Sequence, residues 1–149
     1  MALSGFSFAR GAVLQVLNAA KEEQVDQVPE GFNNSIRWNA GHVIVIAESV
    51  LSHSEAYNKV MPEQFREYFG MGTSPADWKY DPPTVEEIEE VSTKQLQSIQ
   101  ELLKEQTELT KPFEIRGTSF TKLNDVLAFL SFHEGMHFTT MKTYLGLTK

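Results

Sequence analysis

The final helical stretch of the chain repeats apolar residues at steps of three and four, then breaks its own stripe. It reads Val126, Leu130, His133, His137, Met141, Tyr144. This is the spacing of a helix packed along a bundle seam. His133 and His137 stand where such a seam places leucine. Four residues apart, they leave one helix face one turn from each other. Burying two adjacent imidazoles without partners is costly. Any fold this chain adopts must therefore bring a metal ion or hydrogen-bonding groups to that face.

The rest of the chain also reads as helical. A first helix runs roughly from Leu3 to Lys21, with Phe6, Ala9, Val13, Val16, Leu17 and Ala20 on one side. Pro29 and Gly31 mark the polar stretch that ends it. Asn33, Asn34 or Ser35 caps a second helix that continues to about Tyr57. A short helical piece follows over Glu63–Phe69, then an ordered surface segment from Gly70 to Pro83 with Trp78 and Tyr80. Thr84-Val85-Glu86-Glu87 is a capping box for the third helix, whose stripe is Val85, Ile88, Val91, Leu96, Ile99 and Leu103. Phe113–Phe120 is a connection with extended character. Thr121 then caps the fourth helix, which runs to Leu145 and stops at Gly146. The expected class is all-α, a four-helix bundle occupying residues 1–149 as one domain.

Composition removes several function classes. Thirteen Lys+Arg against twenty Asp+Glu give a net charge of -7 without a basic cluster, which argues against nucleic acid and anionic membrane as partners. No stretch is apolar enough to span a membrane. The absence of cysteine excludes a cysteine nucleophile, thiolate ligands and disulfides, and it fits a reducing cytoplasmic location. The start of the chain lacks the basic and apolar regions of a signal peptide.

Only two histidines remain, and one fits the pair. His42 lies about 8 residues into the second helix, or ~12 Å along it at ~1.5 Å per residue. His137 lies about 9 residues before the end of the fourth, or ~13 Å. The two are level if these helices run antiparallel. That requires an up-down-down-up order, with a long crossover between helices two and three. His42, His133 and His137 then form a three-histidine metal site, whose open position suits activation of water or thiol. His53 lies ~16 Å further along the axis and reads as a surface or rim residue. Trp38, Trp78 and Tyr80 are candidate pocket walls. Asn39 and Asn124 are candidate polar supports.

Other readings compete. His133-Glu134-Gly135-Met136-His137 matches the zinc-protease pattern, but no His, Asp or Glu follows to supply a third ligand, and no sheet is expected to hold a peptide. Glu134 remains a candidate accessory base, although an inter-helical or solvated role is the simpler one. Neither histidine has a Glu three residues before it, so a carboxylate di-iron centre does not fit. The plainest alternative is a pair of hydrogen-bonded core histidines in an interaction module.

Trp38-Asn39-Ala40-Gly41-His42 and Phe132-His133-Glu134-Gly135-Met136-His137, with the length and helix order, resemble the DinB/YfiT-like superfamily of bacterial metal-binding bundles. The resemblance covers nearly the whole chain. It implies an up-down-down-up bundle, often a homodimer, with a divalent metal, typically nickel or zinc, on His42, His133 and His137. It also implies a metal-dependent thiol S-transferase or isomerase working with a small-molecule thiol such as bacillithiol, mycothiol or glutathione and an electrophile. The alternatives are a metal-dependent hydrolase with its own substrate and a non-catalytic, metal-stabilised dimer. Phe138-Thr139-Thr140-Met141-Lys142 departs from relatives that carry a basic residue and Gln-Leu or Gln-Ile after the last histidine.

Overall fold

A computed structural model describes residues 2–148. Four long helices dominate it: α1 (Ala2–Ala19), α2 (Ile36–Leu51), α4 (Val85–Glu105) and α5 (Leu123–Leu147), with a short α3 (Gln64–Phe69) between α2 and α4. No helix among the described residues is long and apolar enough to cross a membrane.

Two of the expected helix starts form as the residues dictate. Ser35 accepts the backbone N–H of Trp38 at the head of α2. Thr84 and Glu87 cap α4 reciprocally, each accepting the other's backbone N–H at 3.1 Å. Three boundaries differ from expectation. α2 stops at Leu51, because the carboxylate of Glu48 takes the backbone N–H groups of Val60 and Met61 and the hydroxyl of Tyr57, turning the chain back. α5 begins after Lys122, where Thr121 makes no cap and the Thr107 carbonyl accepts the N–H of Leu123. It also runs through Gly146 to Leu147, since Thr148 supplies the last turn with a bond to Tyr144.

The fold is mostly helical but not all-α. Glu108–Ile115 (β1) and Thr118–Lys122 (β2) pair antiparallel as a hairpin. Arg116 and Gly117 have φ of 48° and 77°. Positive φ at both central residues is the two-residue turn whose twist matches paired strands. The register breaks between Glu108 and Phe113, around Pro112, which has no N–H to give the ladder. Phe113, Phe120 and Phe129 pack ring against ring, with centroids 5.4 to 6.0 Å apart, and fasten the hairpin to α5.

Side-chain contacts fix the helix directions. Along α2 and α5, His42 faces His133 while Asn39 bonds His137 and Asn34 bonds Tyr144, so these helices are antiparallel. Gln95 of α4 bonds the Ile44 carbonyl and Glu48, and Arg37 at the head of α2 bonds Pro83 just before α4, so α2 and α4 share a direction. Segment 52–84 carries the chain between them. The core divides by height. One cluster joins Val13, Leu17, Ile36, Val43, Ile88, Met141 and Tyr144. The other joins Phe6, Val50, Leu51, Ile99, Leu127 and Leu130. The α4 stripe also turns slightly from expectation: Gln95 and Leu102 are buried while Leu96 and Leu103 are only partly so.

Candidate metal centre

Each position of Trp38–His42 has a separate task. Trp38 lies flat on the His42 ring, centroids 4.4 Å apart and planes 13° apart, and its indole N–H bonds Thr73 at 2.9 Å. Asn39 donates from Nδ2 to Asn34 Oδ1 at 2.9 Å and to the Ser35 carbonyl at 2.8 Å. Those bonds fix the amide, so its Oδ1 accepts from Nδ1 of His137 at 2.6 Å. Ala40 is core. Gly41 lies against the Phe69 ring, where a Cβ would approach to 2.2 Å. That close approach seats the end of α3 on α2, and the Phe69 carbonyl accepts from His42 Nδ1 at 2.8 Å.

The three rings meet. One nitrogen each from His42, His133 and His137 lie within 4.8 Å of one another. Ring centroids are 4.5 Å apart for His133–His137, 4.9 Å for His42–His137 and 5.5 Å for His42–His133. Nδ1 of His42 and of His137 is spent on an acceptor, which fixes the tautomer and leaves Nε2 with its lone pair free. His133 is different: its buried Nδ1 has no hydrogen-bond partner among the described residues. Three neutral imidazoles with one orphaned nitrogen fit a shared cation better than they fit each other. Burial lowers the pKa of all three. His133 falls to about 3, with the other two histidines and Arg10 adding to the effect, and His137 to about 4, with His42 adding. The Phe69 carbonyl partly offsets the shift at His42. The rings therefore carry no protons that a metal must displace near neutral pH.

The DinB superfamily matches over residues 6–141, a span that holds all three histidines, α2, α4, the hairpin and most of α1 and α5. This chain belongs to the DinB superfamily. A comparison with curated proteins finds no match.

Within this DinB chain, the other expected residues fall at several distances from the three rings. Trp38 packs directly on His42 and lies 6.4 Å from His137, centroid to centroid. Trp78 stands one layer back, packed on Phe69 and Tyr68, with its indole N–H on the Tyr68 carbonyl. Tyr80 is 80% exposed and stands apart. Asn124 lines a cleft of about 610 Å³ with Leu3, Gln100 and Lys104, which contains none of the histidines. His53 packs its edge on Phe113 and bonds Ser49, away from the other three. Glu134 turns into the protein and forms a bidentate ion pair with Arg10 of α1, both bonds 2.7 Å. Arg10 also bonds Ser92 of α4 at 3.0 Å. Glu134 is fully buried and paired with a permanent cation, which makes it an inter-helical strut between α5 and α1.

Arg10 was legible as an anomaly, since it occupies the stripe Phe6, Arg10, Val13, Leu17 and a buried Arg needs a buried anion. The Phe69 carbonyl and Asn34 carried no comparable signal. Nothing in their local sequence says which distant ring they reach.

Proposed function

We propose that this DinB-superfamily protein is a single-domain, up-down-down-up four-helix bundle holding one divalent metal, nickel or zinc, on His42, His133 and His137, and that it is a thiol S-transferase. One observation carries the reading: three neutral imidazoles converge, two have a spent Nδ1, and one has an orphaned nitrogen. A divalent ion there supplies Lewis acidity, which lowers the pKa of a small-molecule thiol or of water brought to it.

The protein's own residues do the rest. Asn39 and the Phe69 carbonyl hold two rings in orientation, and Trp38 shields the face of His42 from water. Among the described residues no fourth His, Asp or Glu joins the three, which favours an open, catalytic site over a closed, structural one. The chain has no cysteine, so the nucleophilic sulfur belongs to a co-substrate. Thiol transfer is favoured over hydrolysis because Glu134, the nearest carboxylate in sequence, is tied to Arg10. A thiol coordinated to such an ion is deprotonated outright, whereas coordinated water reaches a pKa of only about 7 and gains more from a protein base.

Elemental analysis tests the reading on untagged protein purified without chelator. The wild type should carry about one divalent metal per chain, and His137→Ala should carry almost none. Asn39→Ala keeps all three ligands but should bind the metal about 10–100-fold more weakly. A wild-type protein that is metal-free and takes up neither added nickel nor added zinc would overturn it.

A further inference from the structure

A second cleft, of about 410 Å³, opens directly on His133. The hairpin forms one wall with Ile115, Arg116 and Phe120, and α5 forms the other with Phe132, His133 and Met136. Its volume lies within the ~300–1,000 Å³ range of small-molecule sites. The lining is mostly apolar, with Thr118, His133 and one charged side chain, Arg116, and it includes no carboxylate. Arg116 makes no ion pair or side-chain hydrogen bond among the described residues. In a chain of net charge -7, this cleft presents a cation and no anion directly against one of the three histidines.

The backbone sets where that residue leaves the hairpin. Arg116 occupies a left-handed position in the hairpin turn, with φ of 48°, and Gly117 follows at 77°. The three-phenylalanine contact anchors the strands below the turn to α5. Phe132 and Met136 stay 64% and 46% exposed on the opposite wall, one residue before and three after His133. The cleft therefore offers apolar surface from both walls, a guanidinium from the hairpin turn and the His133 imidazole from α5.

We propose that this cleft binds the co-substrate, and that the co-substrate is a small molecule with an apolar body and a carboxylate or other anionic end held by Arg116. This rests on the three-histidine reading for the reactive end only. Guanidinium recognises a carboxylate through paired N–H donors, so charge and geometry both select the anion.

The test uses 4-phenylbutyrate and its neutral amide as probes, titrated into the full chain, metal-free and zinc-loaded, with the Met136 methyl NMR signal reporting the location. Metal-free wild type should prefer the carboxylate by about tenfold and shift the Met136 signal. Arg116→Gln should erase the preference while leaving the fold and zinc affinity unchanged, because Arg116 lies in an exposed turn and makes no hydrogen bond to the histidines. Arg116→Glu should turn the preference towards 4-phenylbutylamine. Equal binding of carboxylate and amide, a preference that survives Arg116→Gln, or no shift at Met136 would each overturn the proposal. Because the decisive titrations are metal-free, failure of the protein to bind zinc would sink the metal centre without deciding the cleft.

Discussion

His133 and His137 sit on a seam that normally holds leucine, and without a cation they are a liability that pH exposes. In the metal-free protein, burial and the neighbouring rings hold their pKa values down to about 3 and about 4, and His42 is lowered as well. The unfolded chain protonates the same side chains near 6.5. Between those values the unfolded state binds more protons than the native state, so stability falls as pH falls. The loss should begin near pH 6.5 and continue to about pH 4 for His137 and about pH 3 for His133. Urea midpoints of chelator-stripped protein between about pH 6.5 and 4.5 check this, above the range where most carboxylates titrate. His133→Leu/His137→Leu should flatten that slope. An unchanged slope would place the acid sensitivity in other groups.

α3 is short, but it sets the orientation of His42 through the Phe69 carbonyl. It reaches that position only because residue 41 has no side chain. Gly41→Ala would put a methyl 2.2 Å from the Phe69 ring, so α3 must lift or α2 must bend. We expect about 1–3 kcal/mol of destabilisation, typical of overpacking a well-filled core, together with weaker metal binding. Adding Phe69→Ala should recover part of the stability lost to Gly41→Ala, a non-additivity that denaturant unfolding of the four-member cycle would reveal. Strict additivity would mean that the two sites do not clash. The hairpin is the element that the sequence concealed. Its turn is Arg-Gly, not Asn-Gly or Asp-Gly, and Pro112 interrupts its first strand.

Across the whole molecule, Arg10 and Glu134 tie the first helix to the last, 124 residues apart, with Ser92 of α4 joining them. Arg10 is 2% exposed and Glu134 fully buried. Breaking such a pair leaves an uncompensated buried charge. Arg10→Met should therefore cost about 3–5 kcal/mol, whereas Arg10→Met/Glu134→Leu should regain most of that loss. Chemical denaturation of the wild type, both single variants and the double variant measures the coupling. A double variant as unstable as the sum of the singles would show that the pair is not acting as a unit. Glu48 has the matching role for the crossover, collecting Tyr57, Val60, Met61 and Gln95 on one carboxylate.

The residues that had to be buried were legible by themselves. Helical spacing put Phe6, Val13 and Leu17 on one face of α1, put His133 and His137 on one face of α5, and matched His42 to them in height once α2 and α5 were taken as antiparallel. Such periodicity is local, because the helix imposes it on neighbours three and four residues apart. Partners separated by long stretches of chain are not local. The Glu134–Arg10 pair, the Asn39 bond to His137, the Phe69 carbonyl on His42 and the placing of Arg116 and His133 on one cleft each depend on how distant segments pack. The sequence alone put two imidazoles on a bundle seam and a third level with them on another helix. The tertiary structure decided which of their nitrogens find hydrogen-bond partners and what kind of cleft opens beside them, because both depend on segments far apart in the chain.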